Sequence, residues 1–380
     1  MNSANAHTTG QLPALRRAVP HRRDGMTLEF GIFDSFDLGA STPGQVIASR
    51  LDFAVAAEAA GISHYHVTEH HGTPLSVCPS PNLFLAALSQ RTTTMRIGAL
   101  VHVLPAYDPL RLIEEIAVLD QLSGGRLDVG VGSGISPYEL AYFGVEPGEA
   151  RARYAETLAA VTTALATGRL THRGTLLRDY DVELSVGPVQ RPHPPLWYAS
   201  SNTNSAEWAA ANDVSFVGRW NGGSFAAAAE AYWQAWQDHR ASAAVGSAPV
   251  PPRVGFAATV YIGSSDAEAI ERYQVAAALH YQHLLSLWHK HGNHAFDGMA
   301  DLQAGISAGT ALVGSAETVR DLLVEQVAQA PVNYVEATLA FGDLTPGEAL
   351  ANLAAYADVV MPAAREAAER QRPGERVPVS

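Results

Sequence analysis

Apolar residues in this chain fall into short runs alternating with longer stretches of helical spacing, beginning near residue 28. "LEFGIF" (Leu28–Phe33) has strand character, and the "DLGASTPG" after it is rich in turn formers. "VIASRLDFAVAAEAA" (Val46–Ala60) repeats apolar residues at helical spacing and stops at Gly61, a residue suited to a helix end. "ISHYHVT" reads as the next strand and "PNLFLAALSQRT" as the next helix. "MRIGALVHVLP" (Met95–Pro105) is almost continuously apolar, as in a strand buried on both faces. "DPLRLIEEIAVLDQLS" (Asp108–Ser123) opens with an Asp cap and a first-turn Pro and ends at Gly124–Gly125, after which "RLDVGVGSG" supplies another strand.

After a helix over "EARARYAETLAAVTTALATG", the rhythm breaks at 175–195, where "TLLRDYDVELSVGPVQRPHPP" predicts a β-rich excursion with a Pro-rich exit. "LWYAS", a helix over "NSAEWAAAN", "VSFVGRW" and a helix over "FAAAAEAYWQAWQDHR" resume the alternation. "RVGFAATVYIG" is the seventh strand by count, and an insertion of mixed helical character follows at 275–312. "AETVRDLLVEQVA", strand "VNYVEATLA" and a helix around Ala349–Val360 close the pattern. Eight strand–helix units predict a (β/α)8 TIM barrel with insertions rather than an open sheet. The expected organisation is one barrel domain at 27–365 between tails at 1–26 and 366–380.

Composition narrows the function classes. With 47 % hydrophobic residues among 380 there is ample material for a large core. A net charge of −13 and no basic stripe argue against nucleic acid as a partner. The basic cluster Arg16, Arg17, Arg22 and Arg23 reads as a solvated leader. A single cysteine, Cys78, rules out an intramolecular disulfide. No apolar run approaches the ~18 residues of a membrane span, and no apolar signal segment precedes Met26. The expectation is a cytoplasmic enzyme.

In a barrel, chemistry belongs at the C-terminal strand ends. There, at the end of strand two, stands "VTEHHG", placing Glu69, His70 and His71 side by side. An imidazole facing the barrel mouth is a proton donor or acceptor near neutral pH, and Glu69 is in sequence position to orient it. Strand alternation gives the opposite reading, with Glu69 turned away from His70 and one imidazole plugging the barrel. "VGVGSG" (Val129–Gly134) is only Gly-x-Gly-x-Gly, with Pro137 arriving too soon for a dinucleotide fingerprint. Its glycines instead permit close approach to a flat ligand. "ASSNTNSAEW" (Ala199–Trp208) lies between a strand and a helix, suited either to phosphate binding or to plain N-capping by Asn202 or Asn204. Five histidines crowd the 275–312 insertion: His280, His283, His289, His291 and His294. Without a tetrahedral ligand spacing they read as solvated lid residues rather than a metal site.

Taken in order, "EFGIF", "VTEHHG", "MRIGALVHVLPAYDPLRLIEEIAVLDQLSGGRLDVGVGSG", "PPLWYASSNTNSAEWAA" and "ALVGSAETVRDLL" resemble the bacterial-luciferase-like flavin monooxygenases, over Leu28 to Pro362. The resemblance implies a barrel that binds reduced FMN from a separate flavin reductase. Oxygen adds at the flavin C4a position, and the resulting peroxide or hydroperoxide oxygenates a small, largely apolar organic substrate. It assigns His70 the role of active-site acid or base, with Glu69 and His71 beside it. It places a non-prolyl cis peptide at Leu100–Val101, flanked by Ala99, under the flavin ring. Ser201, Asn202 and Ser205 map to the phosphate segment, and Arg219 lines the flavin site. Gly132 and Ser133, also flavin-binding positions, stand where the luciferase α-subunit has a reactive Cys and an Arg; light emission is therefore not implied. The same resemblance leaves two alternatives, a deazaflavin-dependent hydride-transfer enzyme and a catalytically silent flavin-binding partner subunit. It also implies a homodimer, and the helices after strands two and three, rich in Ala and Leu, are suited to pack across a two-fold axis.

Overall fold

The computed structural model describes residues 27–242 and 252–370. Strands β1 (Glu29–Asp34), β2 (His64–Val67), β3 (Arg96–Val103) and β4 (Leu127–Gly132) alternate with helices α1 (Pro43–Ala59), α2 (Pro81–Ser89), α3 (Pro109–Ser123) and α4 (Pro137–Tyr142). Helix α5 (Ala150–Thr167) leads into an antiparallel hairpin, β5 (Arg169–His172) and β6 (Tyr180–Glu183). Then come β7 (Leu196–Ala199), α6 (Thr203–Ala211), β8 (Ser215–Arg219), α7 (Gly223–Ser242), β9 (Val254–Ile262) and α8 (Asp266–Lys290). The chain continues through α9 (Leu302–Ser307), β10 (Ala311–Gly314), α10 (Ala316–Gln329), β11 (Tyr334–Thr338), α11 (Pro346–Ala355) and α12 (Met361–Arg370).

Eight parallel strands close on themselves in the order β1-β2-β3-β4-β7-β8-β9-β11 and back to β1. This is the predicted (β/α)8 barrel. Helix starts follow from local chemistry: Pro43, Pro81, Pro109, Pro137 and Pro346 occupy first turns, where the missing N–H costs no hydrogen bond. Thr42 and Gln45 form a capping box, and Asp108 accepts the N–H groups of Leu110 and Arg111. Gly124, at φ 65°, ends α3 in the left-handed conformation.

Three expectations need correction. The β-rich excursion begins earlier than 175, because β5 already starts at Arg169. The stretch assigned to the end of the lid insertion contains β10, which pairs with Thr259–Ile262 of β9 while β11 pairs with Gly255–Thr259. The nine-residue β9 thus leaves the barrel half-way and carries an extra strand. Residues 366–370 belong to α12, so the folded domain extends beyond 365. The tail assignment at 1–26 and the rest of the C-terminal one lie outside the described residues.

Along β2 the side chains alternate: Tyr65 packs outward on Phe53 and Phe84, while His64 and His66 point into the barrel. There the two imidazoles meet Trp197 and Tyr334, with ring centroids 4.6–5.3 Å apart for the closest pairs. Gly31 leaves room for Tyr334, whose hydroxyl would collide with a Cβ at that position. Asp128 and Glu336 complete this interior; Arg96 Nη2 lies 2.6 Å from Asp128, and His66 Nδ1 lies 2.6 Å from Glu336. Burial opposes charge on His66, but Glu336 and Asp128 outweigh it and raise the imidazole to about 9. Burial wins at His64, which is pushed well below the usual imidazole range despite Asp128.

Candidate active site

Strand β2 ends at Val67 and the backbone turns, with Gly72 at φ 66° packed against the Tyr142 ring. Glu69 is buried in this turn. Its Oε2 accepts the Val103 N–H at 3.1 Å and the Tyr107 hydroxyl at 2.9 Å, and its Oε1 pairs with His71 Nε2 at 2.9 Å. Glu69 therefore ties the turn to the end of β3 and orients His71, not His70. The carboxylate that reaches His70 is Glu139 of α4: Oε1 lies 3.2 Å from His70 Nδ1, and Oε2 accepts the His71 N–H at 2.7 Å. Burial, reinforced by Glu69, raises the Tyr107 hydroxyl far above its ordinary value, so it stays a neutral donor.

A small cleft opens between these loops, with Glu69, His70, His71, Ser136 and Glu139 facing Val103, Ala106, Ile135, Leu140 and Phe143. Its wall is mostly apolar with a few convergent polar groups, the usual make-up of a small-molecule site.

The Leu100–Val101 peptide bond is cis, at the position the resemblance indicates, and the β3–β4 register slips between Ala99 and His102. The β4 glycines have a different reason from ligand approach. A Cβ on Gly130 would strike the Ala99 carbonyl, and one on Gly132 the Val101 side chain, so they accommodate the irregular β3 backbone. Ser133 follows at the end of β4, half-buried.

Paired strands β7 and β8 bring the remaining candidates together. Ser201 Oγ accepts the Arg219 N–H at 2.9 Å. Asn202 caps α6, its Oδ1 accepting the Ser205 N–H at 2.8 Å, so the capping reading is realised. The exposed Arg219 guanidinium donates to the Tyr281 hydroxyl of α8 at 3.0 Å.

The sequence matches the family model for luciferase-like monooxygenases over residues 28–334. The chain belongs to the luciferase-like monooxygenase family. Enzymes of this family are flavin-dependent monooxygenases, and that is the class of this chain. It is 35 % identical to protein y4wF of Sinorhizobium fredii over 87 % of this chain and 94 % of that one. Monooxygenase RslO1 of Streptomyces bottropensis superposes with a TM-score of 0.78 at 25 % identity, over 88 % of this chain and 99 % of that one. The oxygenating constituent of 3,6-diketocamphane monooxygenase of Pseudomonas putida, solved in complex with FMN, superposes with a TM-score of 0.71 at 20 % identity over 89 % and 99 %.

The residues of this luciferase-like monooxygenase suit a phosphorylated flavin. Leu100, Val101, Phe33, Val217 and Ala257 form one apolar cluster with Trp197 and Tyr334, and Phe33, Val101 and Ala257 are only partly buried. That is a shelf for a flat ring. Trp197 Nε1, buried in this cluster, has no protein partner among the described residues. The Arg219 guanidinium, the Ser201 and Ser205 hydroxyls and the α6 N-terminus supply the cation and donors a phosphate needs.

Helix α8 lies across the mouth. His280 Nδ1 and His283 Nδ1 both contact the buried Asp37, at 2.7 and 3.0 Å, and the Gly342 N–H adds a third donor. Burial alone would raise Asp37, but these partners hold its carboxyl well below the usual range. Farther along, the His291 ring stacks on Tyr138 at 4.1 Å, and Trp288 packs edge-on against Tyr138 and Phe296. The insertion is thus packed against the loops at the strand ends. His289 Nε2, His294 Nδ1 and Asp297 are exposed and lie within 4.8 Å of one another. Asp297 accepts a hydrogen bond from each imidazole, at 2.7 and 2.9 Å, which by itself explains the grouping.

Sequence reasoning missed Glu139 and Asp37. For Glu139 a signal existed: "SPYE" is Ser-x-x-Glu directly after a strand, a helix-start pattern that places an acidic side chain at the mouth. Asp37 had none, since its partners lie more than 240 residues away.

Proposed function

We propose that this luciferase-like monooxygenase is the oxygenase component of a two-component system, using reduced FMN from a separate reductase and O2 to oxygenate a small, largely apolar organic substrate. The observation that carries this is His70: one ring nitrogen is held by a carboxylate, and the other, Nε2, has no protein partner among the described residues while the ring lines an apolar cleft. The FMN complex of the diketocamphane enzyme's oxygenating constituent supports the choice of cofactor, and a relative described as the oxygenase component of a flavin-dependent trigonelline monooxygenase supports the two-component reading.

Reduced FMN, when bound, supplies the electrons that activate O2. The chain's own residues do the rest. Arg219, Ser201 and Ser205 would hold the FMN phosphate, and Leu100, Val101 and Ala99 of β3 would contribute to the site of its ring. The apolar wall of the cleft excludes water and selects an apolar substrate. His70 Nε2 takes or returns a proton at the reacting centre. Glu69, with three donors on its two oxygens, keeps the His71 ring and the β2 turn in place. A homodimer through α2 and α3 accords with the exposed Leu83, Val118 and Leu122 on these neighbouring helices.

The test supplies purified protein with reduced FMN, O2 and a panel of small apolar substrates, with a reduced deazaflavin in parallel. Oxygenated product only with FMN and O2, lost in His70→Ala with FMN binding kept, is the expected outcome. Substrate turnover with deazaflavin and without O2 overturns the proposal. So does bound flavin with no turnover over the panel. Sedimentation velocity tests the dimer; a monomer at micromolar concentration removes that part.

A further inference from the structure

We propose that Glu139 is a positioning residue that fixes the tautomer of His70, holding the proton on Nδ1 and leaving Nε2 as the proton acceptor toward the cleft. The inference rests on the reading of His70 as the active-site acid or base, and it adds a residue from outside the Glu-His-His motif.

The geometry leaves little freedom. A carboxylate only accepts hydrogen bonds. One Glu139 oxygen is engaged by the His71 backbone N–H at 2.7 Å, and this donor cannot change its role. The other oxygen faces His70 Nδ1 at 3.2 Å, so Nδ1 has to carry the hydrogen. Glu139 is itself fixed: Pro137 opens α4, and the Ser136 hydroxyl accepts the Glu139 N–H at 3.3 Å. No other carboxylate contacts the His70 ring among the described residues, because Glu69 is spent on His71, Val103 and Tyr107. The two histidines of the motif are therefore each oriented by a different carboxylate, one from the same turn and one from the helix after β4.

This arrangement makes an unusual prediction for a nearly isosteric change. In Glu139→Gln the side chain has one acceptor and one donor end. The His71 N–H claims the acceptor, so the amide N–H2 faces His70 Nδ1. That donor requires Nδ1 to be an acceptor, and the proton moves to Nε2. Glu139→Gln should thus invert the neutral-ring tautomer of His70 rather than merely loosen it. An Nε2 that carries hydrogen no longer accepts a proton.

The experiment is two-dimensional long-range proton–nitrogen NMR on the flavin-free protein with ¹⁵N-labelled histidine, with the His70 signals assigned by their loss in His70→Asn. The wild-type protein should show His70 with hydrogen on Nδ1, and Glu139→Gln should show it on Nε2, a change in tautomer ratio of tenfold or more. The His71 ring, paired with Glu69, should keep its tautomer in both. In turnover, Glu139→Gln should lower kcat by a hundredfold or more with reduced-FMN affinity within twofold, and Glu139→Asp should recover part of the loss. A wild-type His70 protonated on Nε2 overturns the proposal without recourse to any variant, and so does an unchanged tautomer in a folded Glu139→Gln. Because the tautomer is read without flavin, the outcomes separate. The expected tautomers in a protein that never oxygenates would refute the proposed function alone, whereas oxygenation with the wrong tautomer would refute only the role of Glu139.

Discussion

Taking the flavin-free protein from about pH 6.5 to about pH 9.5 should remove about 3 kcal/mol of folding stability through His66. The side chain is buried inside the barrel, with Nδ1 2.6 Å from Glu336 and Nε2 3.7 Å from Asp128. Burial disfavours its charged form, yet the two carboxylates prevail and raise the imidazole from 6.5 to about 9. A folded-state value above the unfolded one means that the native protein binds this proton more tightly. The stabilisation is complete below 6.5 and is lost as pH rises through about 9. At ~1.4 kcal/mol per tenfold change in proton affinity, the difference comes to about 3 kcal/mol. His64, two residues earlier on the same face, is shifted the other way by burial, so its contribution is present above 6.5 and is lost as pH falls below that toward its lowered folded value. Stability from this pair should peak near neutrality. The assay is urea unfolding at half-unit pH intervals, comparing the wild type with Glu336→Gln. Removing one partner of a buried ion pair costs about 3–5 kcal/mol near pH 6.5. The variant should also lose most of the alkaline slope, while contributions from other titrating groups cancel in the comparison. Parallel pH profiles for the two proteins between about pH 7 and pH 9.5 would refute the ion-pair assignment.

Arg219→Ala should weaken reduced-FMN binding by about tenfold or more, the ~1.5–3 kcal/mol of a hydrogen bond to a charged group, while loss of its hydrogen bond to Tyr281 costs only about 1 kcal/mol of stability; an equilibrium binding titration checks it. Gly132→Ala should cost about 1–3 kcal/mol, since its Cβ would meet Val101 beside the cis peptide; urea unfolding reads the loss. Burial raises the Cys78 thiol to about 11, so native protein should resist alkylation by iodoacetamide at about pH 8, and denatured protein should react fully, as counted by mass spectrometry. Asp297→Ala should change stability by less than about 1 kcal/mol, since its two histidine partners are exposed, and chelator treatment should leave turnover unchanged.

The barrel was legible because most of its strands are short apolar runs, such as β3 and β9, alternating with helices that several first-turn prolines and N-caps announce. Strand β10 escaped notice because "ALVG" is four residues long and pairs only with the outer half of β9, a tertiary circumstance. The Glu-His-His turn lies at the end of β2, as strand-end logic expects, but its internal pairing was not legible. Alternation of faces holds only while the backbone stays extended, and β2 ends at Val67, before Glu69. From that point the turn decides which side chains meet: Glu69 reaches His71, and the partner of His70 comes from α4, far along the chain. Of the two open readings of "ASSNTNSAEW", the structure realises the capping one, with Asn202 spent on the α6 cap, and the phosphate reading rests on the proposal for the neighbouring hydroxyls and Arg219. Asp37 shows the limit most plainly, because a carboxylate in a turn-rich loop gains its meaning only when α8 delivers His280 and His283 to it.

The most direct measurement supplies the protein with reduced FMN and substrate under ¹⁸O2 and reads the mass of the product. One ¹⁸O atom per product molecule, abolished in His70→Ala, is the result expected. Product free of ¹⁸O, or label incorporated equally well by His70→Ala, would contradict it.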